Sequence, residues 1–289
     1  MLTNNINFKN FNFNKPANKI LKLLKKVIND NNEIINSLKK NYKDSYKKKI
    51  VLKFNKFSEF IIIGMGGSIL GSRSIYNFLK FKIKKKFYFV DNFELPKLSK
   101  KNKNKRASLI ISKSGNTLET ISNSNILNSD VKRSIYITEN KNSYLMNLSK
   151  KLKSEIVHHN NFIGGRYSVL SEVGMLPAEL MGLNSKKFKR FNFLINNRKF
   201  INSLVKSVSN TLYLIKRKKF NSVILNYDDS SSDLFFWYQQ LIAESLGKKG
   251  KGILPIVSNM PKDNHSLMQL YLDGFKNNFY TFFFVNDKF

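Results

Sequence analysis

Three short segments carry residue types that bind anions. In IIIGMGGSILGS, residues 61–72, an apolar run ends at Gly64, Gly66 and Gly67, and Ser68 opens a helical pattern. Glycines let the backbone turn tightly there, and a helix N-terminus offers N–H groups to an anion. The spacing is not a dinucleotide fingerprint, because the third glycine would fall at Ile69, and no Gly-Lys-Ser/Thr follows to make a nucleotide phosphate loop. An ordinary strand–helix turn accounts for it equally well. In LIISKSGNTLET, residues 109–120, a second apolar run stops at Ser112, Lys113, Ser114, Gly115, Asn116 and Thr117 before another helical pattern. Hydroxyls, a lysine and backbone amides at one helix start compose a phosphate cradle; a simple helix cap is the alternative. In FIGGRYS, residues 162–168, Gly164 and Gly165 precede Arg166. Such glycines let the backbone bring a guanidinium close to a ligand, or Arg166 makes an ordinary surface ion pair.

Two further segments carry acid–base groups. Glu244 follows the apolar helical stretch LFFWYQQLIA, which contains Trp237. A carboxylate in an apolar wall has a raised pKa and suits a general base; pairing with Lys248 is the bland reading. His265 stands in KDNHSLMQLYLDG, residues 262–274, at a helix opening. His158 and His159 are neighbours at a strand end, so they face opposite ways and do not share a metal.

The elements that must position these groups follow from periodicity. Apolar residues at helical spacing mark residues 17–40. Short apolar runs at 60–63, 86–90, 108–112 and 133–138 alternate with helical patterns that begin near Ser68 and Thr117. The cycle restarts with a helix at 199–217, strands at 222–227, 252–257 and 278–285, and helices at 232–246 and 265–272. Strands alternating with helices predict an α/β fold with parallel sheets. The expected division is a helical segment over 1–45, a first domain over 46–183 and a second over 184–289.

Composition narrows the function. The 289 residues include no cysteine and three histidines, so disulfides, thiolate metal sites and cysteine nucleophiles are excluded, and no metal centre is expected. No apolar run has the ~18 residues of a membrane helix, and the first residues lack a signal peptide's apolar core, so a soluble cytoplasmic protein is expected. The net charge of +32 is the footprint of a nucleic-acid binder. Yet the lysines are dispersed among asparagine and isoleucine, which favours solvated surface lysines over a nucleic-acid partner.

Together, GMGGS, SKSGNT-L-ET, GGRYS-V-LS-E-VG, AESLGK and DNHS-L-MQLYLDG resemble, in order, spacing and residue type, the glucose-6-phosphate isomerase family, over residues 58–274. The resemblance implies two sugar-isomerase (SIS) domains, each a mainly parallel sheet flanked by helices. It implies reversible aldose–ketose isomerisation of glucose 6-phosphate and fructose 6-phosphate through an enediol, in glycolysis and gluconeogenesis, without metal or cofactor. By the same resemblance Ser68, Ser112, Lys113, Ser114 and Thr117 form the phosphate site, and Gly66, Gly67 and Gly165 line the substrate loops. Arg166 stabilises the enediolate, Glu244 moves the proton, and His265 opens the sugar ring with Glu119 as its carboxylate partner. It also implies a homodimer with a site shared between subunits. The family's C-terminal segment with its ring-opening lysine has no counterpart before Phe289. The sequence therefore reads as truncated, its second domain incomplete. The alternatives are a catalytically impaired phosphosugar-binding protein and, less favoured, a nucleic-acid binder.

Overall fold

The computed structural model describes residues 7, 9, 17–94, 96–127 and 131–286. In chain order the principal elements are α1 (Asn18–Ile28), α2 (Glu33–Ser37), α3 (Lys48–Phe54), β1 (Glu59–Gly64), α4 (Leu70–Phe78), β2 (Lys86–Val90), β3 (Arg106–Ile111), α5 (Leu118–Leu127), β4 (Ser134–Thr138), α6 (Tyr144–Lys151), β5 (Glu155–His158) and α7 (Glu172–Leu180). They continue with α8 (Phe191–Ile195), α9 (Arg198–Lys216), β6 (Asn221–Asn226), α10 (Ser232–Leu246), β7 (Leu254–Asn259), α11 (Met268–Asp273) and β8 (Asn278–Phe283). The α/β alternation expected from the sequence is present. The helix expected over 17–40 is two helices, because the Asn-Asp-Asn-Asn run at 29–32 breaks it and Asn32 caps the second through the Ile35 amide.

The chain divides into two compact units that are not contiguous in sequence. One comprises residues 42–188 and 230–240; the other comprises 1–41, 189–229 and 241–289. The N-terminal helices belong to the second unit, and residues 230–240 belong to the first.

The first unit is a five-stranded parallel sheet in the order β2-β1-β3-β4-β5. All six β1 residues are buried, as the unbroken apolar run demands in a parallel sheet covered on both faces. Alternate side chains separate the two faces. Phe60, Ile62, Leu109, Ile111, Ile135 and Ile137 pack with residues of α3, α4 and α7. Ile61, Ile63, Ile110 and Tyr136 pack with residues of α5 and α6 on the other face. Burying each such side chain contributes about 1.5–3 kcal/mol, which makes this sheet a rigid floor for the loops at its strand ends.

The second unit holds a three-stranded parallel sheet in the order β7-β6-β8. Val223, Leu225 and Met260 form its buried cluster, with Ile256, Met268, Tyr271 and Tyr280 packed against it. The strand expected over 278–285 is β8, which among the described residues pairs with β6 and lies at the sheet edge, and Phe282 is 66% exposed. Among the described residues no helix is long and apolar enough to cross a membrane.

Candidate active site

The strand order locates a binding crevice. β1 pairs with β2 on one side and β3 on the other, while β3 continues to β4. The connections therefore leave β1 and β3 in opposite directions, and the crevice opens at the C-terminal ends of these two strands, the usual ligand position of such sheets. Gly64 ends β1 opposite Ile111 of β3, so GMGGS and SKSGNT leave from neighbouring positions.

Three hydroxyls converge after β3. Ser112 Oγ lies 2.8 Å from Thr117 Oγ1 and 3.5 Å from Ser114 Oγ, and Ser114 Oγ lies 3.5 Å from Thr117 Oγ1. Ser112 is buried and accepts from the Gly115 amide at 3.1 Å, while Ser114 is exposed and accepts from the Asn116 amide at 3.2 Å. The N-terminus of α5, directly behind, supplies backbone N–H groups that lack intrahelical partners. The loop is held from the side. The Glu139 amide and the Thr138 hydroxyl both donate to the Lys113 carbonyl, at 3.1 and 3.3 Å, and Leu145 N donates to Gly115 O at 3.0 Å. Gly115 has φ +68°, and a Cβ there would stand 2.2 Å from Ser143 Oγ, so no other residue fits.

Lys113 turns elsewhere. Its Nζ donates to the Asn161 carbonyl at 2.9 Å and pairs with Glu139 at 3.4 Å. Glu139, with only 6% of its side chain exposed, also pairs with Lys141. Burial works to raise the Glu139 carboxyl, but the two ammonium groups outweigh it and hold the carboxyl below the usual range. The Lys113 ammonium, expected in the hydroxyl cradle, pairs here with the buried Glu139 carboxylate.

The first and third motifs meet backbone to backbone. A Cβ on Gly67 would lie 2.2 Å from the Gly165 carbonyl carbon and 2.5 Å from the Arg166 nitrogen. Ser168 Oγ closes the turn by donating to Gly165 O at 2.7 Å. Ser68 ends the short 3-10 turn after Gly66 and is half-buried. The Arg166 guanidinium lies 4.6 Å from the centre of the Tyr167 ring. Sequence reasoning missed the contribution of α10. Trp237 Nε1 donates to the Arg166 carbonyl at 3.0 Å, and Gln240 Nε2 would be 2.7 Å from a Cβ on Gly66. One turn before Trp237, Asp233 pairs with Arg73 at 2.8 Å and accepts from Asn77, both on α4. The spacing 233, 237, 240 puts all three on one helix face, the only local signal that could have found them.

The remaining candidates stand as follows. Glu119 is half-buried in the first turn of α5. His158 is exposed, whereas His159 is buried, with Nδ1 2.9 Å from the Asn160 carbonyl; burial lowers its pKa. Glu244 and His265 belong to the second unit and both are exposed. Glu244 is therefore not set in the apolar wall that its flanking sequence suggests. The His265 turn is fixed by Asp263, which accepts from the Asn259 amide and the Ser258 hydroxyl at 2.8 Å each. No group of three or more metal-binding side chains occurs among the described residues.

Comparison with known proteins gives the family. A model of the phosphoglucose isomerase family matches residues 12–253. The glucose-6-phosphate isomerase of Methanocaldococcus jannaschii is 36% identical over 257 residues, covering 83% of this chain and 62% of that protein. That of Mycoplasmopsis pulmonis is 32% identical over 250 residues, covering 78% and 58%. The chain thus spans about three fifths of the length of these curated relatives. In fold, it is similar to a glucose-6-phosphate isomerase from Chlamydia trachomatis, with TM-score 0.68 at 19% identity over 92% of this chain and 64% of that one. A Thermus thermophilus protein has TM-score 0.71 at 21% identity, over 92% of this chain and 69% of that one. With a family match running from residue 12 to residue 253, across the hydroxyl loop, Arg166 and Glu244, this chain belongs to the phosphoglucose isomerase family.

Proposed function

We propose that the chain interconverts glucose 6-phosphate and fructose 6-phosphate in the cytoplasm, as a homodimer whose site is shared between subunits. The observation that carries the reading is the convergence of Ser112, Ser114 and Thr117 on the strand end beside GMGGS, where a sheet of this order binds its ligand. A phosphate held there by hydroxyls and backbone amides, with Ser68, Gly66, Gly67 and Gly165 lining the loops, anchors the sugar away from the reacting carbons. That anchoring supplies orientation.

The chemistry then needs a base and a fixed cation. Glu244 takes the proton from C2 of the open-chain aldose and returns it to C1, while the hydroxyl proton moves from O2 to O1. Arg166 offsets the negative charge that develops on the enediolate oxygens. His265, with Glu119, assists ring opening. The family match over residues 12–253 includes Glu244, which supports giving it the base. Lys113 serves the loop through its backbone, its ammonium being held by Glu139.

The test is a coupled isomerase assay with Glu244→Gln. The parent should turn over both sugar phosphates and wash solvent deuterium into C1 or C2. The variant should lose at least about 10³-fold in both rates while retaining phosphosugar binding. Parent-like turnover by the variant removes Glu244 from the reaction. Binding without turnover by the parent leaves a phosphosugar-binding protein.

A further inference from the structure

The Arg166 backbone is met from two sides, and one of the contacts comes from Trp237, in the apolar stretch that precedes Glu244. The Gly165–Arg166 peptide lies against Gly67 on one side. On the other, the Arg166 carbonyl accepts a hydrogen bond from Trp237 Nε1 at 3.0 Å, across 71 residues of sequence. Trp237 is itself half-buried and packed against the main core of the first unit. Its helix is tied to α4 one turn earlier by the Asp233–Arg73 pair, and Arg73 also pairs with Asp91 at 2.6 Å beyond β2. One turn later Gln240 sits over Gly66. The indole is therefore a strut with fixed ends. Its ring packs against the core, and its one polar atom donates to the residue that carries the guanidinium.

We infer that Trp237 is a positioning residue for Arg166: its indole N–H holds the Arg166 backbone so that the guanidinium meets the developing enediolate without rearranging. This rests on the proposed isomerase function, where Arg166 acts on the transition state. A group that matters through another's position should affect kcat more than KM, because phosphate anchoring lies with the Ser112–Thr117 loop and not with Arg166.

The chain contains one tryptophan, so biosynthetic replacement of tryptophan changes this position alone. Benzothienylalanine keeps the bicyclic shape but puts sulfur in place of N–H; 5-fluorotryptophan keeps the N–H. Two readouts are used on the full chain. The first is the ¹⁵N resonance of the Arg166 Nε–H, identified by its loss in Arg166→Lys and independent of turnover. It should shift or broaden in the benzothienyl protein and stay at the parent position in the fluorinated one. The second is isomerase kinetics. The benzothienyl protein should lose about tenfold in kcat with KM within twofold of the parent, the loss expected for about one hydrogen bond, and the fluorinated protein should match the parent. Trp237→Phe should behave like the benzothienyl protein. An unmoved Arg166 resonance, or parent-like kcat in the benzothienyl protein, overturns the inference. So does an equal loss in the fluorinated protein, which would show that packing and not the N–H matters. An inactive parent instead defeats the isomerase reading, and the Arg166 resonance then decides the positioning role by itself.

Discussion

Replacing Gly67 by alanine puts the structure of the site to a direct test. The added Cβ would stand 2.2 Å from the Gly165 carbonyl carbon, 2.3 Å from its oxygen and 2.5 Å from the Arg166 nitrogen. All three are backbone atoms, so no side-chain rotation relieves the clash. Restoring ordinary contact requires the two loops to part by about 1.2 Å. GMGGS is anchored on the fully buried β1, and the Arg166 loop is anchored by Trp237 and Ser168, so neither side yields freely. Overpacking against backbone on both sides should cost about 3 kcal/mol, the upper end for such insertions. For a unit of this size that is a fall in Tm of about 6–12 °C. A displacement of about 1 Å at the arginine-bearing loop should also lower kcat by about 10²-fold. Gly165→Ala is the comparison: its Cβ would meet only the Gly67 Cα, at 4.0 Å, so its melting should stay close to the parent's. Thermal unfolding followed by circular dichroism, together with the coupled assay, reads both effects. A Gly67→Ala protein that melts within 1–2 °C of its parent, or no more than about that far from Gly165→Ala, would refute the packing argument.

Other expectations follow from the same geometry. Ser114→Asp places a carboxylate beside a bound phosphate and should weaken phosphate binding at least about tenfold by calorimetry, even with solvent screening. Lys113→Met should leave phosphate affinity within about twofold of the parent while destabilising the fold, because the ammonium serves the buried Glu139 rather than the anion. Acid should destabilise the protein in two stages. His159 has a folded pKa lowered by burial, so stability falls as pH drops from about 6.5 toward that lower value; Glu139, also lowered, costs stability below about 4.3. Denaturant titrations across pH should show the first stage vanish in His159→Gln and the second shrink in Glu139→Gln.

The sequence alone settled much of this protein, because much of it is local. The apolar run of β1 is a strand buried along its whole length, as such a run suits a parallel sheet covered on both faces, and the shorter apolar runs within 86–90 and 222–227 are strands as well. Glycine at 66, 67 and 115 marked turns that other residues cannot make, and the hydroxyls at 112, 114 and 117 marked one loop, since they lie within six residues of each other. Tertiary structure decided the rest. The order β2-β1-β3-β4-β5, which makes the β1–β3 ends a crevice, depends on crossover directions that no periodicity records. Lys113 reads among hydroxyls in the sequence, and its pairing with a carboxylate 26 residues away at the end of the adjacent strand is visible only in the fold. Residues 230–240 belong with a sheet that ended some seventy residues earlier, and so Trp237 reaches Arg166. Glu244, apolar in context by sequence, stands exposed on the second unit. Periodicity fixes which residues share a face of a helix or strand; which partner that face meets depends on packing between distant segments, where charge pairing and shape decide.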